Sequence, residues 1–445
     1  MRAAADGAPS KGLSGTIVES GWPKGRNSLM IGIMRSFIRL AGAGYVVLRT
    51  EGLLSFFVRF RRRLRASFVG QAIILPVATS DATNVDWSSI PEHLSEPTIV
   101  ADGPIEIAWI MSPPSPTSGG HQNLLRFIDF AEQAGHRCAI YFYSTSGITV
   151  NIRDMKQMIG DSAAYPNVTA SMQMYDADYG VHNRTQAIFA TGWETAYPVF
   201  LDPSRARRFY FVQDFEPSFY PVGSEATFAE NTYRFGFHGL TAGRWLATKL
   251  QDEFGMATDS FDFAVDKAHY SLLNTERRKE IFFYARPVTP RRGFELGIMA
   301  LTDFAKRRPD VKINLAGWDV SNWDIPFKFV NHSGLAITDL NALYNRCAAG
   351  LVLSMSNMSL LPLELMSSGV VPVVNDAPNN RMVYESEFIE YVPPAPLAIS
   401  HALERVVDAE DAVERAVRMS QSVENSDWRD SGRVFVAALE RAMRG

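Results

Sequence analysis

Short apolar runs alternate with amphipathic helical segments from residue 105 onward. Residues 105–111 form a first apolar run, residues 122–133 have helical periodicity, and residues 138–143 form a second apolar run. A strand, a helix and a second strand in this order make a βαβ unit, which implies a parallel sheet. The pattern therefore predicts an α/β fold.

The alternation falls into two series that meet near residue 275. The first series adds predicted strands at 187–190, 209–212 and 261–265 and predicted helices at 225–233 and 242–254. The second has predicted strands at 281–285, 311–316, 350–354 and 370–374 and predicted helices at 293–306, 340–347 and 362–367. Thr338 and Asp339 are expected to cap the helix at 340–347. Because ligands bind such sheets at the carboxyl ends of strands, the two series predict two Rossmann-like domains that face across a cleft.

The chain is too long for one hydrophobic core, since it has 445 residues and single cores rarely grow beyond ~250. We expect a flexible tail over residues 1–28, which lack an apolar run. A helical extension and a proline-containing linker follow over residues 29–103. The predicted N-terminal Rossmann-like domain covers residues 104–274, the C-terminal one residues 275–425, and a last helix residues 426–445.

The helical extension carries an apolar stripe beside a basic cluster. The stripe recurs at spacings of three and four and consists of Leu53, Phe57, Phe60, Leu64 and Phe68. Five arginines lie between residues 59 and 65. This pattern fits a helix that lies on an anionic membrane surface. It fits equally a helix packed on the main body with its arginines in water, and no uncharged run approaches the ~20 apolar residues that span a bilayer.

Composition and charge add few constraints. The net charge of −4 gives no general attraction to nucleic acid, so local basic residues must hold any anionic ligand. Cys138 and Cys347, both in apolar segments, are predicted to be buried reduced thiols rather than a disulfide or zinc site. Reduced thiols and the absence of a recognisable secretory signal favour a cytoplasmic location.

A basic loop in the second series carries the first chemical motif. Arg286, Arg291 and Arg292 precede Gly293 between a predicted strand and a predicted helix. Arginine offers bidentate donors to a diphosphate and does not lose its charge, and the helix that follows adds free backbone N–H groups. The loop therefore predicts a diphosphate site, with a solvated basic turn as the alternative.

The second motif spans residues 351–374. A predicted strand ends in small polar residues, among them Ser356 and Asn357, and a short apolar helix follows that carries one carboxylate, Glu364. A lone Glu in apolar surroundings needs a partner or a ligand. Paired sugar hydroxyls suit a carboxylate acceptor, whereas a local cap or salt bridge is the structural alternative.

Two loops of the first series are further candidates. Gly119 and Gly120 lie between the first strand and its helix, where glycine lets backbone approach a ligand, although a plain turn also explains them. Asp214 and Glu216 follow the strand at 209–212. Such carboxylates can orient or deprotonate an acceptor hydroxyl, or they can cap a helix.

An Asp-x-Asp sequence at Asp176 and Asp178 is a candidate metal-binding motif. It lies in the first series, far from the basic loop in sequence. Because arginines can neutralise a diphosphate, we expect no metal and no cofactor, and lone histidines such as His182 and His238 are weaker candidates still.

Together the basic loop and the 351–374 segment resemble family 4 glycosyltransferases, which have the GT-B fold. Arg286 and Arg292-Gly293 match the placement at which that family grips the donor diphosphate, with Arg where Lys is usual. The family also has a Glu, seven residues and a second Glu that binds the donor ribose, and Glu364 matches the second. The first, which ordinarily touches the transferred sugar, falls at Ser356 and departs from the pattern.

The resemblance extends over residues 104–445 and implies an acceptor domain followed by a donor domain. It places Gly119 and Gly120 in the cleft and Ser356 and Asn357 near the phosphate or sugar. Segments 212–217, 233–238 and 356–364 are similar to rhamnosyltransferases that build bacterial surface polysaccharides. That likeness implies a deoxythymidine-diphosphate-rhamnose (dTDP-rhamnose) donor.

The expected activity is transfer of a sugar from a nucleoside diphosphate sugar to a glycan or lipid-linked glycan acceptor. Arg286 and Arg292 would stabilise the departing diphosphate. Other enzymes on the same fold and a non-catalytic glycan-binding or scaffold subunit are the alternatives, because a fold does not fix a function. The location implied is the cytoplasm, with an anionic membrane surface as a further partner.

Overall fold

The computed structural model describes residues 75–91, 103–115, 118–145, 149–358 and 360–444. They belong to one compact unit that starts at Ile73. The predicted tail at 1–28 and the apolar stripe of the extension lie outside the described residues. Among those described, no helix is long and apolar enough to cross a bilayer.

The first sheet has seven parallel strands in the order β3-β2-β1-β4-β5-β6-β7. Its strands are β1 (Glu106–Met111), β2 (Arg137–Phe142), β3 (Ser171–Met174), β4 (Ala187–Ala190), β5 (Arg207–Val212), β6 (His238–Ala242) and β7 (Thr258–Phe261). The helices of this region are α1 (Thr79–Asn84), α2 (Gly119–Gln133), α3 (Ile152–Asp161), α4 (Trp193–Leu201), α5 (Ser224–Asn231) and α6 (Arg244–Phe254).

The second sheet has six parallel strands in the order β10-β9-β8-β11-β12-β13. Its strands are β8 (Glu280–Tyr284), β9 (Ile313–Ala316), β10 (Val330–Asn331), β11 (Cys347–Val352), β12 (Val371–Asn375) and β13 (Glu390–Val392). The helices are α7 (Phe294–Arg307), α8 (Ile337–Tyr344), α9 (Leu361–Ser367), α10 (Pro378–Arg381), α11 (Pro396–Asp408) and α12 (Ala412–Ser422). Two doubly wound parallel sheets confirm the predicted α/β class, and the chain order reverses at β1/β4 and β8/β11, where ligands of such folds bind.

A last helix, α13 (Trp428–Arg444), returns to the first sheet. The Phe435 ring lies 5.1 Å from that of Phe127 and 6.1 Å from that of Trp109 on β1. At Gly432 a Cβ atom would stand 2.5 Å from the Phe130 ring, so only glycine permits this approach of α13 to α2. Residues 428–444 therefore complete the core of the first domain.

Several predicted elements are displaced or wrong. The helix predicted at 340–347 runs over Ile337–Tyr344 without a side-chain cap, so Thr338 and Asp339 do not cap it. Cys347 instead begins β11, whose six residues are all buried between β8 and β12. The apolar run at 261–265 is largely loop, because pairing with β6 ends at Phe261.

The predicted linker includes a packed segment. Val77 is buried, and α1 is held by a hydrogen bond of 2.5 Å from the Tyr143 hydroxyl to Asp81 Oδ2. The prediction for the cysteines is confirmed, since Cys138 and Cys347 are free and buried.

Candidate functional site

The basic loop joins β8 to α7 through a tight turn. The Thr289 N–H donates to the Arg286 carbonyl at 2.9 Å, and a 3-10 turn covers Pro290–Arg292. Gly293 has φ +58°, and a Cβ there would lie 3.2 Å from side-chain atoms of Leu353 and Met355. The left-handed backbone angle favours glycine, and the packing of this turn on the segment after β11 leaves little room for a side chain.

Arg292 and Arg286 present their guanidinium groups differently. Arg292 Nη1 donates to Ser354 Oγ at 2.8 Å and to the Asn357 carbonyl at 3.4 Å. Burial lowers the pKa of the Arg292 guanidinium, and the nearby Asp214 carboxylate opposes that shift. Arg286 Nε is buried without a partner among the described residues, so it is available to an acceptor that binds here.

Ser354, Ser356 and Asn357 are buried in the loop after β11, which three asparagines hold in place. Ser354 N donates to Asn375 Oδ1 at 2.8 Å, and Asn375 Nδ2 donates to the Ser354 carbonyl at 2.9 Å. Asn380 Nδ2 also donates to the Asn375 carbonyl at 2.7 Å, and Asn379 Nδ2 donates to the Ser356 carbonyl. This asparagine cluster (Asn375, Asn379 and Asn380) was not predicted, although its signal was three asparagines at the end of a buried strand and shortly after it.

Asn357 joins the loop after β11 to the first domain. Its Nδ2 donates to the Gln213 carbonyl at 3.0 Å and to the Ala242 carbonyl at 2.8 Å. Two carbonyl acceptors require an NH₂ group, so they fix the orientation of this amide. The remaining oxygen, Oδ1, is buried and has no partner among the described residues.

Asp214 lies against the same loop rather than on an open surface. Its Oδ1 accepts from Asn357 N at 2.8 Å, and its Oδ2 accepts from Ser356 Oγ at 3.1 Å and from Arg291 Nε at 3.1 Å. Arg292 Nη2 lies 3.9 Å from Oδ2. Arg291, not predicted as a site residue, also stacks 3.9 Å over the Phe219 ring of the first domain.

Glu216 begins a 3-10 turn after β5, and its buried carboxylate contacts the first residue of α4. Its Oε2 accepts from Trp193 N at 2.5 Å and from the Tyr210 hydroxyl at 2.9 Å. Burial, followed by the neighbouring Glu194 carboxylate, raises the pKa of Glu216 well above its usual range. Glu194 was missed in the sequence, and because close carboxylates cannot both ionise easily, we expect this pair to retain a proton.

Glu364 lies on α9 in an enclosed setting. Burial raises its pKa to about 7, against the opposing effects of a hydrogen bond from Tyr270 and the charge of Arg126. Arg126 comes from α2 of the first domain, pairs with Asp266 at 3.3 Å and stacks 4.3 Å from the Trp428 ring. The carboxylate therefore has protein neighbours besides any ligand, and the predicted ribose contact stays a prediction.

The remaining candidates fall into two groups. Gly119 and Gly120 begin α2, where Gln213 Nε2 donates to the Gly120 carbonyl at 3.1 Å and the space beside Gly119 is open within 4 Å. Asp176 makes a local turn with Asp178 N at 2.9 Å, and the described residues contain no cluster of three or more metal-ligating His, Cys, Asp or Glu side chains. His238 is bound to Asp259 at 2.9 Å at the start of β6.

Comparison with known proteins agrees with this architecture. The profile of a family described as "WsaF, C-terminal domain" matches residues 279–404. The O-antigen biosynthesis protein RfbC of Myxococcus xanthus is 29% identical over 378 residues, which are 82% of this chain. The chain spans only 29% of the length of that relative.

Solved structures match across both sheets. Sucrose-phosphate synthase from Thermosynechococcus elongatus has a TM-score of 0.54 at 12% identity, covering 76% of this chain and 98% of that one. Anabaena HepE in complex with UDP-glucose has a TM-score of 0.53 at 13% identity, with coverage of 76% and 98%. The chain therefore has the GT-B fold of glycosyltransferases.

Proposed function

We propose that this chain transfers a sugar from a nucleoside diphosphate sugar to a glycan acceptor in the synthesis of a surface polysaccharide. The observation that carries the proposal is the loop between β8 and α7. It brings the unpartnered buried N–H of Arg286 and the guanidinium of Arg292 to the carboxyl end of the second sheet. Fixed positive charge at this point suits a diphosphate leaving group.

The predicted residues of the two domains receive different roles in this proposal. Arg286, Arg292 and the backbone at Gly293 bind the diphosphate, and Glu364 accepts a hydroxyl of the donor pentose. Gly119 and Gly120 leave room for substrate at the opposite wall. Both oxygens of Asp214 already accept hydrogen bonds from the protein, so of the two predicted carboxylates we retain only Glu216 on the acceptor side, where its Oε2 also accepts from Trp193 N and the Tyr210 hydroxyl.

Rhamnose is the sugar that we propose for transfer, with dTDP-rhamnose as donor. The similarity of segments 212–217, 233–238 and 356–364 to rhamnosyltransferases supports it, and the relative named for O-antigen biosynthesis supports a surface-polysaccharide role. The rival is a non-catalytic subunit that retains the fold, for which the Ser at position 356 is the motivating feature.

Thermal-shift and turnover assays with a panel of nucleotide sugars test the proposal. A true donor should raise the melting temperature, because a ligand that binds only the folded state stabilises it. Turnover should persist with a chelator present, since arginines neutralise the diphosphate. Donor binding without transfer to any glycan acceptor would favour the non-catalytic subunit, and loss of turnover on chelation with rescue by Mg²⁺ would redirect attention to Asp176 and Asp178.

Substitution of Glu364 by Gln should change the pH dependence of donor binding. Pentose hydroxyls donate preferentially to the ionised carboxylate, whose pKa is about 7 in the unliganded protein. Affinity for the nucleotide sugar should therefore rise as the pH increases from 6 to 8, and Glu364→Gln should be weaker and flat over this window. Calorimetry should use the intact nucleotide sugar, because a free nucleoside diphosphate titrates in the same range.

The pH dependence of the free energy of unfolding shows whether Glu364 has a structural role instead. A carboxyl group with a raised folded pKa stabilises the fold below its unfolded pKa and loses that contribution as the pH rises through about 7. The wild-type protein should thus lose stability relative to Glu364→Gln between pH 5 and 8. If this stability effect occurs but donor binding is unchanged, Glu364 is structural.

We further propose that the protein acts at the cytoplasmic face of a membrane through the apolar stripe and the basic cluster within residues 29–75. Each basic residue near an anionic surface contributes ~1 kcal/mol of attraction, which salt screens. The full chain should sediment with anionic vesicles at low salt and be released at high salt, whereas a chain starting at residue 76 should not sediment. If the two chains sediment equally, the apolar stripe packs on the main body and does not bind membranes.

A further inference from the structure

The position of one carboxylate departs from the family pattern in an unexpected way. The resemblance places a Glu that touches the transferred sugar at position 356, where this chain has Ser. In the structure the carboxylate of Asp214, from the first domain, lies beside that position. Its oxygens lie 3.1 Å from Ser356 Oγ and 2.8 Å from Asn357 N.

The hydrogen bonds of Asp214 use its full capacity. Oδ1 accepts from Phe215 N and Asn357 N, and Oδ2 accepts from Ser356 Oγ and Arg291 Nε. An ionised carboxylate offers about four lone-pair sites. All are therefore engaged, so Asp214 has none left for the proton of an acceptor hydroxyl or for a hydroxyl of the donor sugar.

Asn357, in contrast, has an acceptor oxygen without a hydrogen-bond partner among the described residues. Its NH₂ group is fully used by the Gln213 and Ala242 carbonyls, while its Oδ1 is unpartnered and the residue is 1% exposed. A buried polar atom without a partner is costly, and a ligand hydroxyl would satisfy it. The atom is held in place from the first domain, although it belongs to the second.

We propose that the donor-sugar subsite is built across the domain interface. Asp214 is a positioning residue that replaces, from the opposite domain, the carboxylate missing at position 356, and it holds Arg291, Ser356 and Asn357. Asn357 Oδ1 accepts a hydroxyl of the donor sugar. This assignment rests on the proposed function, and it replaces the acceptor-side role predicted for Asp214 from sequence.

Affinity measurements with paired ligands test the Asn357 contact. The probes are dTDP-rhamnose against dTDP, and UDP-glucose against UDP. The wild-type protein should bind the sugar-bearing member of one pair more tightly, and if it binds neither member of either pair, the proposed function fails. Asn357→Ala should weaken binding of the nucleotide sugar by roughly 10-fold and leave the nucleoside diphosphate unchanged. Equal losses for both ligands, or no loss, would overturn the inference while leaving donor binding intact.

Exchange of the two side chains tests the positioning role. Asp214→Ser removes the carboxylate, and Ser356→Asp sets a second carboxylate against the first. Each single change should lower kcat/KM by roughly 10- to 100-fold. The double variant Asp214→Ser/Ser356→Asp again has one carboxylate for the same donors, now supplied by the second domain. Its kcat/KM should be at least about 10-fold higher than that of either single variant.

Asp214→Asn, which retains one acceptor oxygen, covers the case in which Asp214→Ser does not fold. It should keep the melting temperature and lose sugar-dependent affinity. Additive losses in the double variant, or an Asp214→Asn protein with wild-type sugar affinity, would show that Asp214 is only a structural contact between the domains.

Discussion

Replacing Arg292 with Ala should reduce donor turnover by on the order of 10²–10³-fold in kcat/KM, the scale for loss of one preorganised charge at a leaving group. The Arg292 side chain is only 12% exposed and its guanidinium contacts Ser354 and Asn357, so its charge acts more strongly than in water. Arg292→Lys keeps the charge but not the fork of donors, so its loss should be smaller. Initial rates over a range of donor concentrations measure both.

The control for this prediction is Arg433→Ala. It removes the same charge from an exposed side chain of α13 whose partner is Asp430, so turnover should stay at the wild-type level. A folded Arg292→Ala protein with normal turnover would remove this arginine from the donor site. Melting temperatures establish that the variants compared are folded.

The second large effect concerns stability. Phe435→Ala should cost about 3–5 kcal/mol, because it deletes a buried ring that packs on Trp109, Phe127 and Phe211 and leaves a cavity. The neighbouring Val434 is half exposed, so Val434→Ala should change stability by less than about 0.5 kcal/mol. Urea unfolding followed by tryptophan fluorescence compares the two, and similar midpoints would mean that α13 does not contribute to the core.

Periodicity predicted strands that are continuously apolar, and it failed where burial is partial or where small and polar residues interrupt the apolar run. The predicted bounds of β4 agree with the observed ones, because all four of its residues are apolar and buried. β3 alternates between exposed and half-buried positions at the edge of the sheet, and β10 has only two residues. β6 was missed because Gly239 and Thr241 interrupt its apolar character, although pairing with β5 and β7 specifies it.

For the candidate site, sequence motifs could select loops but could not predict long-range partners. The basic loop and Gly293 form a recognisable motif because their residues are adjacent in sequence. The contact of Asp214 with Arg291 and Ser356 joins residues far apart in the chain, so spacing could not predict it. Glu194 and Glu216 likewise become neighbours only because α4 packs against the loop after β5.

The return of α13 to the first sheet has a consequence for biosynthesis. Domains usually fold as units during translation, N-terminal domain first. Here the ring of Phe435 belongs to the core around Trp109, so that core stays incomplete until residues 428–444 have left the ribosome. The second domain can therefore acquire its native packing before the first, and the nascent N-terminal half exposes an apolar surface that chaperones can bind.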